Sequence, residues 1–269
     1  IIAKYLDPKR FRFEVANTKS HKRANEITEA MKNHFDGFIA VGGDGTINEI
    51  GRELVGTNKI LGIIPAGSGN GLARSLNIPL KHDRALAVIN NFKVSKIDAV
   101  MANEQYFFNV AGVGFDAYVA KLFAGKEKRG LSGYVKVIAD KFFNYKGKAF
   151  RWQVNGHEES EKAFLMSFAN TTQYGNNAHI APHAKFDDGK FEFCVVKDFP
   201  RWKTPGLVIR LFNKTLDKSP YYRSSSLSNL ELKCEGKVWA HLDGEPHTFR
   251  DCLKISVKPR ALRVISNFR

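Results

Sequence analysis

The stretch Phe38-Ile39-Ala40-Val41-Gly42-Gly43-Asp44-Gly45-Thr46-Ile47-Asn48-Glu49 decides how the rest of the chain is read. Its four leading apolar residues form a run of the length expected for a buried strand. Three glycines follow within four positions, together with one carboxylate (Asp44) and one hydroxyl (Thr46). Apolar residues then recur at Ile47, Ile50, Leu54 and Val55, which is helical spacing. Glycines let a backbone approach a ligand closely. The first amides of the following helix lack intrahelical partners and favour an anion. A glycine turn between strand and helix is also a common structural turn. The phosphate reading is preferred because strand and helix both stand where a phosphate site needs them.

Working outward, Phe11 to Ala16 reads as a short strand. Ser20 is placed to cap a helix with the stripe Ala24, Ile27, Ala30, Met31 and Phe35. After the central element, Lys59 to Pro65 reads as another buried strand. It runs into a second glycine turn, Ala66-Gly67-Ser68-Gly69-Asn70-Gly71, and a helical start at Leu72 to Leu76. This rhythm of strand and helix predicts an α/β domain with a parallel sheet and right-handed crossovers. Ligands bind such sheets at the carboxyl ends of the strands, where both glycine turns fall.

The pattern changes in the interval 92–98, giving an expected division into an α/β domain, 1–95, and a β-rich domain, 96–269. Ile97 to Ala102 and Gln105 to Val110 form a hairpin around Asn103-Glu104. Helices are expected over Ala117 to Phe123, Ser132 to Tyr145 and Thr204 to Leu216. Strands are expected at 150–154, 164–169, 191–196, 230–234, 238–242, 253–257 and 262–265. Many short strands bounded by Gly, Asn, Asp and Pro predict a mainly antiparallel sandwich or barrel.

The 269 residues are 43% hydrophobic and 26% charged, an ordinary globular composition. No apolar run reaches the roughly 18 residues of a membrane-spanning helix. Ile1 to Arg10 has no basic head followed by an apolar core, so no signal peptide is expected. The first residue is Ile, so the natural start is expected to lie elsewhere. Cys194, Cys234 and Cys252 are scattered and odd in number, which argues against a disulfide framework or zinc ribbon and fits a reducing, cytoplasmic compartment. His179 and His183 are separated by Pro182, which argues against a helical pair aimed at one metal. The net charge of +15 attracts nucleic acid, anionic lipid or phosphorylated substrates, or simply aids solubility. No zinc finger, RNA-recognition or basic-zipper pattern is present, so nucleic acid is not an expected partner.

Neither glycine turn is followed by the Lys-Ser or Lys-Thr of the GxxxxGK(S/T) pattern, and neither fits GxGxxG with an acidic residue about 20 positions on. What remains is a pair of phosphate-contacting turns with one acidic residue. Asp44 can orient a cation, serve as a base, or bond its own backbone as a turn aspartate.

Gly42-Gly43-Asp44-Gly45-Thr46-Ile47-Asn48-Glu49 resembles the GGDGTxNE signature of the diacylglycerol kinase catalytic-domain superfamily, which includes bacterial soluble lipid kinases, sphingosine kinases and ceramide kinases. Pro65 to Ala73 is similar to its second loop, in the PxGSGNxLA spelling of sphingosine kinases. Asn109-Val110-Ala111-Gly112-Val113-Gly114-Phe115-Asp116 resembles a third element, whose aspartate lies toward the lipid head group. Arg129 sits where the family has a phosphate-contacting arginine. Ala181-Pro182 through Lys190 looks like a loop holding a structural magnesium ion, with the Asp188 carboxylate and the carbonyls of Lys185 and Lys190 as ligands. Leu242-Asp243-Gly244-Glu245 matches the DGE element that carries the catalytic base.

The resemblance covers residues 38 to 265 and implies a NAD-kinase-like first domain. NAD kinases share the GGDGT turn, but the second loop and the DGE element favour lipid kinases. The family's opening strand, with its Asn-Pro-x-x-Gly turn, has no counterpart here. The implied activity is an ATP-dependent lipid kinase with Mg2+ as cofactor, acting on a diacylglycerol-like membrane lipid. The implied catalytic residues are Asp44 and Glu245, which come from different domains and would meet at one hydroxyl. Gly42, Gly43, Gly45, Thr46, Asn48, Glu49, Gly67, Ser68, Asn70 and Arg129 are the expected nucleotide-binding residues, and Asp116 the lipid-binding one. A sphingoid-base or ceramide kinase is the nearest alternative, suggested by Ser68-Gly69-Asn70. A non-catalytic nucleotide- or lipid-binding regulator is an alternative of another class, against which intact Asp44 and Glu245 count. The expected partners are the lipid and an anionic membrane surface, with a homodimer left open. The expected location is cytoplasmic and peripheral to a membrane.

Overall fold

The computed structural model describes residues 2–18, 23–123 and 141–268. Ser20, Arg129 and most of the helix expected from Ser132 lie outside the described residues. The chain divides into two compact units. The first comprises Ile1–Ala99, Phe186–Gly189 and Lys258–Arg269; the second comprises Val100–Lys185 and Lys190–Val257. The division therefore falls after Ala99 rather than after residue 95, and the first unit takes back two later pieces of chain. The reason is that it falls within long strands and not in a linker.

In the first unit, α1 (Ile2–Tyr5) precedes α2 (Ala24–Met31), and the described residues between them, 6–18 and 23, form no strand. The strand expected over Phe11 to Ala16 does not form: among the described residues no strand pairs with it, and the Phe11 amide donates instead to Asp7 O at 3.0 Å. Phe11 alone packs, against Phe92 at 5.7 Å, while residues 12–17 are exposed. α2 ends at Met31, short of Phe35. β1 (Gly37–Gly42) and β2 (Ile60–Pro65) pair in parallel, Gly42 opposite Pro65. Between them runs α3 (Asp44–Leu54), whose Ile47, Ile50, Gly51 and Leu54 are buried on one face. α4 (Gly71–Ser75) and α5 (His82–Asn91) follow β2. Leu86, Val88 and Ile89 of α5 pack with Leu6, Ile64 and Ile265 in one cluster.

β3 (Val94–Ala102) leads into the second unit and turns at Asn103 (φ 54°) into β4 (Gln105–Phe107), antiparallel with Ala102 opposite Gln105, as the expected hairpin requires. Then come β5 (Val110–Gly114), α6 (Phe115–Phe123), β6 (Lys148–Val154), β7 (His157–Ala169), β8 (Phe191–Lys197), α7 (Thr204–Phe212) and β9 (Tyr222–Leu227). The strand pairs expected at 230–242 and 253–265 are each a single strand, β10 (Asn229–Leu242) and β11 (Glu245–Ile265). β10 carries an irregularity between Lys233 and Lys237, which the sequence presents as a break. All pairings from β4 to β10 are antiparallel. β7 and β10 each pair with β6 over one stretch and β5 over another, so the strands fold over a core holding Trp152, Phe168, Phe191, Phe193 and Leu232. β8 is buried on both faces, because Cys194 and Val196 enter a second cluster with Phe164, Phe199 and Tyr222. In the first unit, the end of β11 pairs in parallel with β2, Val264 opposite Leu61.

Candidate active site

The two glycine turns of the first unit touch through their backbones. A Cβ on Gly67 would lie 2.5 Å from the Cα of Gly43, and one on Gly43 would lie 3.1 Å from the Cα of Gly67. Real Cβ contacts do not reach the shorter distance, so glycine at Gly67 is a requirement of fit. The amide of Ala66 donates to Gly42 O at 2.8 Å and joins the turns at their bases. Asn70, buried and left-handed (φ 50°), closes the second turn: its Oδ1 accepts the Gly67 amide at 2.9 Å and its Nδ2 donates to Gly67 O at 2.7 Å. Asp44 begins α3, and its Oδ1 accepts the Leu72 amide at 3.4 Å. The amides of Gly45 and Thr46 fall in the first turn of α3, where helix geometry leaves them without intrahelical acceptors.

The expected nucleotide residues thus separate into groups. Gly42, Gly43, Gly45, Thr46, Gly67 and Asn70 gather at the paired turns, together with Asp44, expected as catalytic. Ser68 is exposed on the second turn, and Asn48 lies half-buried on α3. Glu49 is turned away: it is buried, and its Oε2 accepts the Ala24 amide at 2.9 Å, capping α2. Arg129 lies outside the described residues.

In the second unit, four donors converge on Asp116 at the start of α6. Oδ1 accepts the Ala117 amide at 2.7 Å. Oδ2 accepts the Tyr174 hydroxyl at 3.0 Å, the Ser167 hydroxyl at 3.3 Å and His241 Nε2 at 3.2 Å. Ser167 Oγ and the Tyr174 hydroxyl are 2.5 Å apart. Burial, and then the charge of Asp116, push the Tyr174 phenol well above its usual range, so it stays protonated and donates. Gly112 leaves the room, since a Cβ there would lie 2.2 Å from Asp116 Oδ2. On β10, Ala240 and Leu242 enter the core, so His241 between them faces the opposite side, toward Asp116.

His241 also reaches the DGE turn. Its Nδ1 accepts the Gly244 amide at 3.3 Å, which requires that ring nitrogen to be unprotonated and puts the proton on Nε2, facing Asp116. Asp243 (φ 49°) and Gly244 (φ 88°) form a two-residue hairpin loop, with Leu242 opposite Glu245. The Asp243 carboxylate accepts three consecutive amides, those of Phe108, Asn109 and Val110, at 2.9–3.1 Å. The position of Glu245 at the head of β11 is therefore fixed by its two neighbours in sequence and by His241.

Asp188 is exposed in the first unit. Its neighbour Gly189 donates to Asp98 Oδ2 at 2.7 Å, and Asp98 Oδ1 accepts the Arg260 amide at 2.7 Å. Burial raises the Asp98 carboxyl, those two hydrogen bonds oppose the rise, and the charges of Asp188 and Asp187 add to it. Lys185 and Lys190 flank this segment in sequence and belong to the second unit. Among the described residues, no group of three or more His, Cys, Asp or Glu side chains is arranged to hold a metal ion.

The diacylglycerol kinase catalytic domain model matches residues 1–102, and the YegS C-terminal NAD kinase beta sandwich-like domain model matches residues 109–266. The chain belongs to the YegS-like lipid kinase family. A relative from Chromohalobacter salexigens, named "Probable lipid kinase YegS-like", is 30% identical, the match covering 83% of this chain and 74% of that one. A diacylglycerol kinase of Mycobacterium tuberculosis is 27% identical over 94% of this chain and 84% of its own. Among solved structures, a diacylglycerol kinase from Bacillus anthracis shares the fold, with a TM-score of 0.75 and 19% identity over 98% of this chain and 90% of that one. The resemblance carried by the GGDGT turn and the DGE element is thereby borne out. This lipid kinase is an enzyme of the ATP-dependent phosphotransferase class, and its second unit is of the beta-sandwich type.

Sequence reasoning missed His241, Tyr174, Ser167 and Asp98. His241 left one signal: a polar residue between two core residues on a strand, two positions before a turn of interest.

Proposed function

We propose that this lipid kinase transfers the γ-phosphoryl group of ATP to a hydroxyl of a diacylglycerol-like membrane lipid. The observation that carries the reading is the chain Asp116–His241–Gly244, which ties a multiply donated carboxylate to the turn bearing Glu245. Such a group of polar atoms on packed strands suits orientation of a hydroxyl-bearing head group. The paired glycine turns suit the nucleotide, because the amides opening α3 favour phosphate oxygens. Asp44 stands among those amides, and a carboxylate beside phosphate needs a cation between them. Mg2+ takes one or two carboxylates plus phosphate oxygens, which the Asp44 carboxylate fits, and it would neutralise charge on the transferred group.

In this reading Glu245 accepts the proton of the lipid hydroxyl, and the hydroxyl oxygen forms a bond to the γ-phosphorus. The bond from that phosphorus to the bridging oxygen of ADP breaks. Asp116 accepts a hydrogen bond from the head group. The metal reading of Asp188, Lys185 and Lys190 rests on the resemblance. The net charge of +15 favours an anionic membrane surface, and among the described residues no helix is long and apolar enough to cross a membrane.

The test is transfer of label from γ-labelled ATP to a panel of diacylglycerol, monoacylglycerol, sphingosine and ceramide, with NAD as control. Labelled diacylglycerol is expected, and label in NAD alone would overturn the reading. Asp44→Ala and Glu245→Gln are each expected to lower turnover by about 100-fold or more.

A further inference from the structure

α7 and the 3-10 turn before it (Arg201–Lys203) carry apolar side chains both inward and outward. Leu207 and Leu211 point inward, against the cluster holding Phe199, Leu216 and Tyr222. On the outer face, Trp202, Pro205, Ile209 and Phe212 follow one another at three- or four-residue spacing, with Val208 beside Ile209. All are exposed: Trp202 by 73%, Ile209 by 60%, Phe212 by 50% and Val208 by 44%. An apolar stripe of this kind marks an interaction surface.

The charges around it say what it meets. From Phe199 to Leu216 the chain carries Arg201, Lys203, Arg210 and Lys214 and not one Asp or Glu. Arg201 is used internally, stacked 4.9 Å over Phe164 and paired with Asp198. Lys203 and Lys214 are exposed, and the Lys203 ammonium lies 4.0 Å over the Trp202 ring. Lysine is depleted in interfaces with other proteins. Aromatic rings at the head-group level, aliphatic side chains beside them and flanking lysines are the pattern of a helix lying in a bilayer interface.

We propose that the outer face of α7, with Trp202, inserts into the head-group layer of an anionic lipid bilayer and is the surface by which this kinase holds its membrane. The inference rests on the proposal that its substrate is a membrane lipid, and it assigns to one helix what the net charge assigns only to the whole surface.

The full chain is mixed with vesicles of phosphatidylcholine, alone or with phosphatidylglycerol, and binding is measured by sedimentation and tryptophan emission. Of the three tryptophans, Trp152 is buried and Trp239 half-buried, whereas Trp202 is 73% exposed and is placed to report insertion. A blue shift is expected with the phosphatidylglycerol vesicles and should vanish in Trp202→Phe. The double variant Ile209→Glu, Phe212→Glu is expected to weaken that binding by about tenfold or more. It should phosphorylate vesicle-borne diacylglycerol poorly and a dispersed short-chain diacylglycerol at the wild-type rate, which also shows that it is folded. Unchanged sedimentation of the double variant, or equal binding to both vesicle types, would overturn the proposal. So would a wild-type dimer that this variant dissociates without loss of vesicle binding, since the face would then join two copies of the chain. Vesicle binding that depends on these residues, with no labelled diacylglycerol in either format, would support the membrane face and overturn the diacylglycerol reading instead.

Discussion

Between Gly43 and Gly67 the first unit brings two backbones so close that one methyl at Gly67 would lie 2.5 Å from a neighbouring Cα. Around Asp116 the second unit does the opposite and fills the space with donors from α6, β7, β10 and the loop holding Tyr174. One region is built by leaving side chains out, the other by interlocking them. A backbone site tolerates many neighbouring sequences as long as its glycines stay. A side-chain site loses a partner with almost any single change.

Asp243→Ala leaves the amides of Phe108, Asn109 and Val110 without their acceptor and should cost about 3 kcal/mol in urea unfolding. A loss well under that would mean water replaces the carboxylate and the second region is not held by side chains. Gly67→Ala should cost about 2–3 kcal/mol through overpacking, whereas the exposed neighbour Ser68→Ala should change stability by less than about 0.5 kcal/mol. Equal effects would sink the steric account of the glycine turns.

His241→Leu strips a donor from Asp116 and an acceptor from the Gly244 amide, and a loss of about 2 kcal/mol is expected. In activity assays it should raise KM for lipid and leave KM for ATP unchanged. His241→Gln, which can again donate to Asp116, should recover part of both effects. Gly244→Ala sharpens the contrast with Gly67: its Cβ would point into open space, so only the left-handed backbone opposes it, at about 1 kcal/mol.

The smallest effect concerns pH. Burial, and then the charge of Lys214, hold the His179 imidazole below its usual range in the folded second unit. The unfolded chain therefore takes up this proton first. Stability is full above about 6.5 and declines as the pH falls through and below that value. Thermal melts across pH 5 to 7 should show the decline in the native chain and a flatter profile in His179→Gln.

The same contrast explains what was legible in advance. Strand, glycine turn and helix are local patterns, so β1, α3, β2 and the paired turns could be read from residues 38–73. The Asp-Gly spelling of the β10–β11 turn was equally plain. Asp116 could be named, but not Tyr174 or Ser167, because partners 51 to 125 residues away in sequence leave no local trace. Glu49 shows the converse: it belongs to the motif by spacing, yet its carboxylate caps α2. β9, in Tyr-Arg-Ser-Ser-Ser-Leu, has too few apolar residues to be read as a strand and owes its existence to pairing with β8. The failure at Phe11 to Ala16 is the mirror case, alternation without a partner strand.

β11 has a bearing on how the protein is made. One 21-residue strand gives Leu253 and Ile255 to the core of the second unit and Leu262, Val264 and Ile265 to the first, where it pairs with β2. During synthesis, therefore, β2 waits for a neighbour some two hundred residues downstream, and the second core waits for Ile255 and the first for Ile265 to leave the ribosome. The glycine turns emerge early, but the sheet on which they rest is completed only after translation has passed β11. A chain interrupted anywhere before Glu245 would leave both units unfinished at once.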